Sequence, residues 1–145
     1  MRLDGYLQAR GSMRVQRPPL LWEADTDEVP LVRLLDEMIA IGLLRGSEPA
    51  DLTLNVANVT VKPSEDDEGG EPDEWLPEGD YVAVTVRGRG HWSPETVWRP
   101  GAPLAEGVIA KLADRLRDAR ARFAYTRDLG REGCVTVYLS RSLQD

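Results

Sequence analysis

One cysteine and one histidine stand in a chain of 145 residues, and each scarcity closes a route. A lone Cys134 allows no internal disulfide and no metal site built from cysteines, which suits a reducing compartment. It opens the strand-like run CVTVYL, so a small buried side chain is the expectation and a reactive thiol the alternative. His91 being the only histidine, any self-phosphorylation on histidine must use it. No apolar run reaches the roughly 20 residues that cross a bilayer, and residues 1–17 lack the apolar centre of a signal peptide. The expectation is a cytoplasmic protein without a membrane span. Around the glycines of residues 81–94, YVAVTVRGRGHWSP, there is no acidic residue, no phosphate-loop lysine and no serine nucleophile with a partner.

What is present is one domain's worth of chain, with 41% apolar residues and a net charge of −7. That charge is local. Residues 63–80 hold nine carboxylates and no base, whereas the rest of the chain has 16 acids against 18 bases. From residue 87 onward the balance is basic, 11 against 7. No basic cluster is interleaved with aromatics, so nucleic acid is not the expected partner. The acidic stretch has few apolar groups besides Trp75 and Leu76. It is expected to be a mobile, solvated connection, with a cation or basic-partner site as the alternative; clustered carboxylates alone fix no metal geometry, and no metal is expected.

Along the chain, residues 1–21 read as an arm with an edge strand at 12–16 or 20–23, and 22–145 as the domain. Asp25, Thr26, Asp27 and Glu28 supply cap-type and acidic groups before Leu31, Leu34, Leu35, Met38 and Gly42, the apolar stripe of a helix ending near Gly46. Leu52, Leu54 and Val56 alternate, but Val59 and Val61 have the opposite parity, which predicts a bulge or break near Ala57 and Asn58. Val82, Val84 and Val86 resume the alternation across the acidic connection, as an antiparallel neighbour. Gly88 and Gly90 then read as a strand-ending turn needing positive φ. Leu104, Val108, Ile109, Leu112, Leu116, Ala119 and Phe123 form the stripe of a second long helix, with Lys111, Arg115, Arg117, Arg120 and Arg122 mostly off it. Residues 123–126 and 134–139 close the chain as two strands. The order helix, strand, strand, helix, strand, strand predicts an α+β, two-layer sandwich, a mostly antiparallel sheet with helices on one face.

That order and several local strings resemble the ATP-binding domain of the GHKL superfamily, found in histidine kinases, gyrase, Hsp90-type chaperones and anti-sigma serine kinases. The likeness spans residues 15–140 and implies a Bergerat-like sandwich. Glu37-Met38-Ile39-Ala40-Ile41-Gly42-Leu43-Leu44-Arg45-Gly46 occupies the frame of the family's N-box. Val84-Thr85-Val86-Arg87 runs into Gly88-Arg89-Gly90-His91-Trp92 where the family has D-x-G-x-G. Pro103-Leu104-Ala105-Glu106-Gly107-Val108-Ile109 resembles the G-L-G-L-A-I-V helix start, and Gly130-Arg131-Glu132-Gly133 the final glycine turn. Each string keeps the apolar frame and loses a ligand-binding atom. The Mg²⁺-holding asparagine would be Ile41, which offers no oxygen. The adenine-reading aspartate would be Gly88. Pro103 and Ala105 replace phosphate-loop glycines, and proline has no amide hydrogen to donate. Glu37, Gly90 and Gly101 remain where the family uses such residues.

The resemblance therefore implies a degenerate, non-catalytic ATPase-like domain acting as a regulatory or protein-interaction module. No cofactor is expected, a protein partner is, and a homodimer is compatible. Four tryptophans, Trp22, Trp75, Trp92 and Trp98, exceed what a core of this size needs and suggest an interface. Arg87, Arg89, His91 and Trp92 are the partner-binding candidates. One alternative is a divergent ATP-dependent kinase of anti-sigma or histidine-kinase type, with Glu37 as general base, Gly90 beside the nucleotide, and ATP and Mg²⁺ as cofactors. The other is an immunity or antitoxin-like protein whose acidic loop meets a basic partner.

Overall fold

The structure is a computed structural model that describes residues 3–8, 13–44, 52–62, 76–90, 92, 95–101 and 106–142. In order, these form α1 (Asp4–Gln8), β1 (Arg14–Gln16), α2 (Glu28–Leu44), β2 (Thr53–Val61), β3 (Gly79–Arg89), β4 (Val97–Trp98), α3 (Gly107–Asp118), β5 (Phe123–Asp128) and β6 (Glu132–Ser140). The strands make one six-stranded sheet in the order β1-β2-β3-β6-β5-β4. β1 runs parallel to β2, and the other neighbours are antiparallel. The expected order of elements holds from α2 to β6, with α1, β1 and β4 added to it.

Alternation decides the layers. Val82, Val84 and Val86 of β3 lie beside Leu139, Val137 and Val135 of β6, and all join one buried cluster with Leu3 and Leu7 of α1, the α2 stripe, and Val108, Ile109, Leu112 and Leu116 of α3. Side chains from the three helices thus cover one face of the sheet, which is the two-layer arrangement of an α+β domain. The residues expected to form an arm contribute Leu3 and Leu7 to this core. Of the two places given for a short edge strand, 12–16 and 20–23, the earlier holds it, as β1.

The expected bulge in β2 is absent. Pairing runs one to one from Thr53 opposite Arg87 to Val61 opposite Gly79. The change of parity has another cause: the far end of β2 is apolar on the opposite face. There Val59 and Val61 pack on a second cluster of Leu76, Tyr81, Ala83, Phe123 and Tyr138. Asn58, at the parity where an apolar residue was due, accepts from the Trp22 amide and donates to the Leu20 carbonyl, tying the incoming chain to β2.

α3 stops at Asp118, one turn before its apolar stripe was expected to end, and Phe123 turns to the opposite face as the first residue of β5. Leu104, at the other end of that stripe, lies outside the described residues. The stop is a Schellman-type turn: the Ala121 amide reaches the Leu116 carbonyl and the Arg120 amide the Arg117 carbonyl. Arg120 takes φ 57° there, a conformation in which its Cβ is strained. Its nearest carboxylate, Asp25, is 3.9 Å away and exposed, so the side chain offsets little of that strain. Arg120→Gly is expected to raise unfolding stability by roughly 0.5–1 kcal/mol, read as a higher urea midpoint at unchanged slope.

Candidate functional site

Beyond β3 the chain turns back as a strap stitched to the β5–β6 hairpin. Gly90 takes φ 105°, which glycine alone adopts freely, and its amide donates to the Arg131 carbonyl at 3.0 Å. The Trp92 amide donates to the Asp128 carboxylate, and the Asp128 amide to Glu95 Oε1 at 3.0 Å. Thr96 and Thr126 then bond amide to carbonyl and amide to hydroxyl, leading into β4. Gly88, expected in the turn, is instead a paired residue of β3 opposite Gly133.

These tethers hold Trp92 against the helix-side face of the sheet. It is fully buried. A Cβ on Gly133 would sit 2.0 Å from Trp92 Cδ1, and a Cβ on Gly42 3.7 Å from Cη2. The indole therefore spans from the central strand β6 to the second half of α2 in a slot; glycine is what admits it at the β6 wall, whereas at Gly42 the tight neighbour of an added Cβ would be Leu52, at 2.9 Å. Ile41, beside Gly42, is buried in the same core and presents hydrocarbon. Glu37, one turn earlier, is half-buried, and Gly101 lies in an exposed turn with φ 78°. The site residues taken from the sequence thus divide. Gly88, through its pairing with Gly133, and Trp92 come together at the slot and Ile41 is buried in the same core, whereas Gly101 is on the surface. His91, Pro103 and Ala105 lie outside the described residues, as do Trp75 and residues 63–75.

Trp92 itself is corrected from a surface partner contact to a core residue. Trp98 is buried as well, and Trp22 is half-buried with the Arg141 guanidinium 4.3 Å from its ring centroid. Three of the four tryptophans are thus occupied within the chain. Sequence reasoning missed Gly133, Gly42, Asp128 and Glu95. The available signal was Gly133: a glycine entering an apolar strand marks a close approach, but it reads equally well as the end of a turn.

Arg87 and Arg89 project from the opposite face of the sheet. Arg87 Nε donates to Glu132 Oε2 at 2.5 Å, with both side chains about half exposed. Cys134 lies between Arg87 and Arg127 in the strand register. Burial pushes its thiol pKa up, and the two guanidiniums and a hydrogen bond with Thr136 pull against that less strongly, so it is a poor nucleophile. Among the described residues there is no group of three or more histidine, cysteine, aspartate or glutamate side chains able to hold a metal ion. No helix among them is long and apolar enough to cross a membrane. Compared with protein-family models and with curated proteins, the chain matches none.

Proposed function

We propose that this chain is a degenerate, non-catalytic domain of the GHKL type that works as a protein-interaction or regulatory module. The observation that carries the reading is the indole of Trp92. It lies between Gly42, next to the residue standing for the magnesium ligand, and Gly133, paired with the residue standing for the adenine-reading acid. Space for a base is taken by a side chain of the chain itself, and the polar atoms a nucleotide needs there are replaced by Ile41 and Gly88. A buried phosphate or base edge without such partners costs several kcal/mol, so losing the ligands and filling the slot act in the same direction.

Calorimetric titration of the full chain with ATP and Mg²⁺ tests this. The expected result is no saturable heat up to millimolar nucleotide; tight, metal-dependent binding would overturn it. Trp92→Ala is not expected to restore binding, because Ile41 and Gly88 stay as they are.

A further inference from the structure

On the helix side of the molecule α2 and α3 pack against each other, and a cleft opens where the start of α2 meets the last turn of α3. Leu31 and Leu34 of α2 and Leu112 and Leu116 of α3 are fully buried in the shared core, so residues beside them on each helix are turned outward. Pro30, Arg33, Arg115 and Asp118 line the cleft, whose volume is about 290 Å³. That is the small end of the range for ligand pockets and suits a molecule of amino-acid size.

The charges of the cleft are uncommitted. Among the described residues, neither Arg33, Arg115 nor Asp118 is in an ion pair. Arg115 and Asp118 stand three apart on α3, a spacing at which opposite charges ordinarily meet, yet each lines the cleft by itself. Other charges nearby are engaged: Asp114 pairs with Arg117, and Asp25 faces Arg120 at 3.9 Å. Arg33 is exposed and Arg115 half-buried. Two guanidiniums at one opening repel each other until an anion lies between them.

Charge then selects the ligand. Guanidiniums hold carboxylates in planar, bidentate pairs, whereas Asp118 would repel an anion that offered it no cation in return. Two bases and one acid give the lining a charge of +1. A molecule with two carboxylates and one ammonium satisfies all three groups, and its methylene chain can lie along the Pro30 ring.

We propose that the α2–α3 cleft binds an acidic α-amino acid, Arg33 and Arg115 holding its carboxylates and Asp118 its ammonium group. The site is separate from the slot of Trp92, which meets α2 at Gly42, toward the other end of that helix. The two readings therefore stand or fall separately.

Calorimetric titration of the full chain with L-glutamate and, separately, L-aspartate is the test. Glutarate, which lacks the ammonium, L-glutamine, which lacks the second carboxylate, and inorganic phosphate are the comparison ligands. At least one acidic amino acid is expected to bind saturably at millimolar concentration or below, and about tenfold or more tightly than each comparison ligand, as the loss of a charge-assisted contact requires. Arg33→Gln with Arg115→Gln should abolish this binding while leaving the urea midpoint at its wild-type value within error, since neither guanidinium is in an ion pair. Asp118→Asn should weaken the amino acid by about tenfold and strengthen glutarate, a reversal that no loss of folding produces. No saturable heat with either amino acid, glutarate or phosphate binding as tightly as they do, or binding that survives the arginine double variant overturns the proposal.

Discussion

Gly133→Ala is expected to destabilise the domain by about 3 kcal/mol or more, out of the 5–15 kcal/mol typical of a domain. The added Cβ would stand 2.0 Å from Cδ1, 2.4 Å from Cγ and 2.9 Å from Cβ of Trp92. Relief must come from one side or the other, and both are held. Gly133 belongs to β6, paired with Gly88 on one flank and Asp128 on the other. The tryptophan main chain is fixed by the Asp128 carboxylate and by the Gly90 amide two residues earlier. The far end of the fully buried indole lies beside Gly42 and Leu52, so it is enclosed there too. Overpacking of this kind has no flexible end to absorb it. A urea titration measures the loss, and a double-mutant cycle assigns it. With Trp92→Ala already present, Gly133→Ala should cost under about 1 kcal/mol. A cost that is the same in both backgrounds would mean that the indole is not what the methyl group meets.

Trp92→Ala is expected to be equally severe for the opposite reason, at about 3–5 kcal/mol for a buried aromatic removed from a site that cannot collapse. The walls of the vacated slot include the central strand at Gly133 and the helix at Gly42, neither of which carries a side chain that could fill it. The variant should therefore keep an indole-shaped cavity. Millimolar indole should raise its melting temperature and leave that of the wild type unchanged, by mass action on a site only the variant has. If Trp92→Ala is as stable as wild type to within about 1 kcal/mol, the residue does not fill the core as described.

The parts of this architecture that could be read from the sequence are those written in short-range patterns. The spacing of Leu31, Leu34, Leu35 and Met38 gives one helical face, and all four are buried. The alternation through Val86 gives β3, and the acidic connection marks its hairpin with β2. Where legibility failed, a distant partner decides. Val59 and Val61 looked out of phase because their face is closed by Phe123 and Tyr138, more than 60 residues later. The parallel partner of β1 lies across α2, and no local signal announces a three-residue strand. Trp92 illustrates the same limit at the site. An aromatic after RGRGH reads as an exposed anchor, and it is inside because the glycine at 133 makes room for it. That glycine acquires its meaning only from a residue 41 positions earlier.

The position of β6 has a consequence for how the molecule comes into being. It is the last strand of this sequence to leave the ribosome, yet it lies between β3 and β5 and is buried on both faces from Gly133 to Leu139. Until it is available, no strand pairs β2–β3 on one side with β4–β5 on the other. The Ala24–Arg141 bridge and the Asp25 amide on the Ser140 carbonyl fasten the approach to α2 onto the same late strand. Closure of the sheet must therefore wait until Ser140 has been made, which loads this fold with pairings distant in sequence.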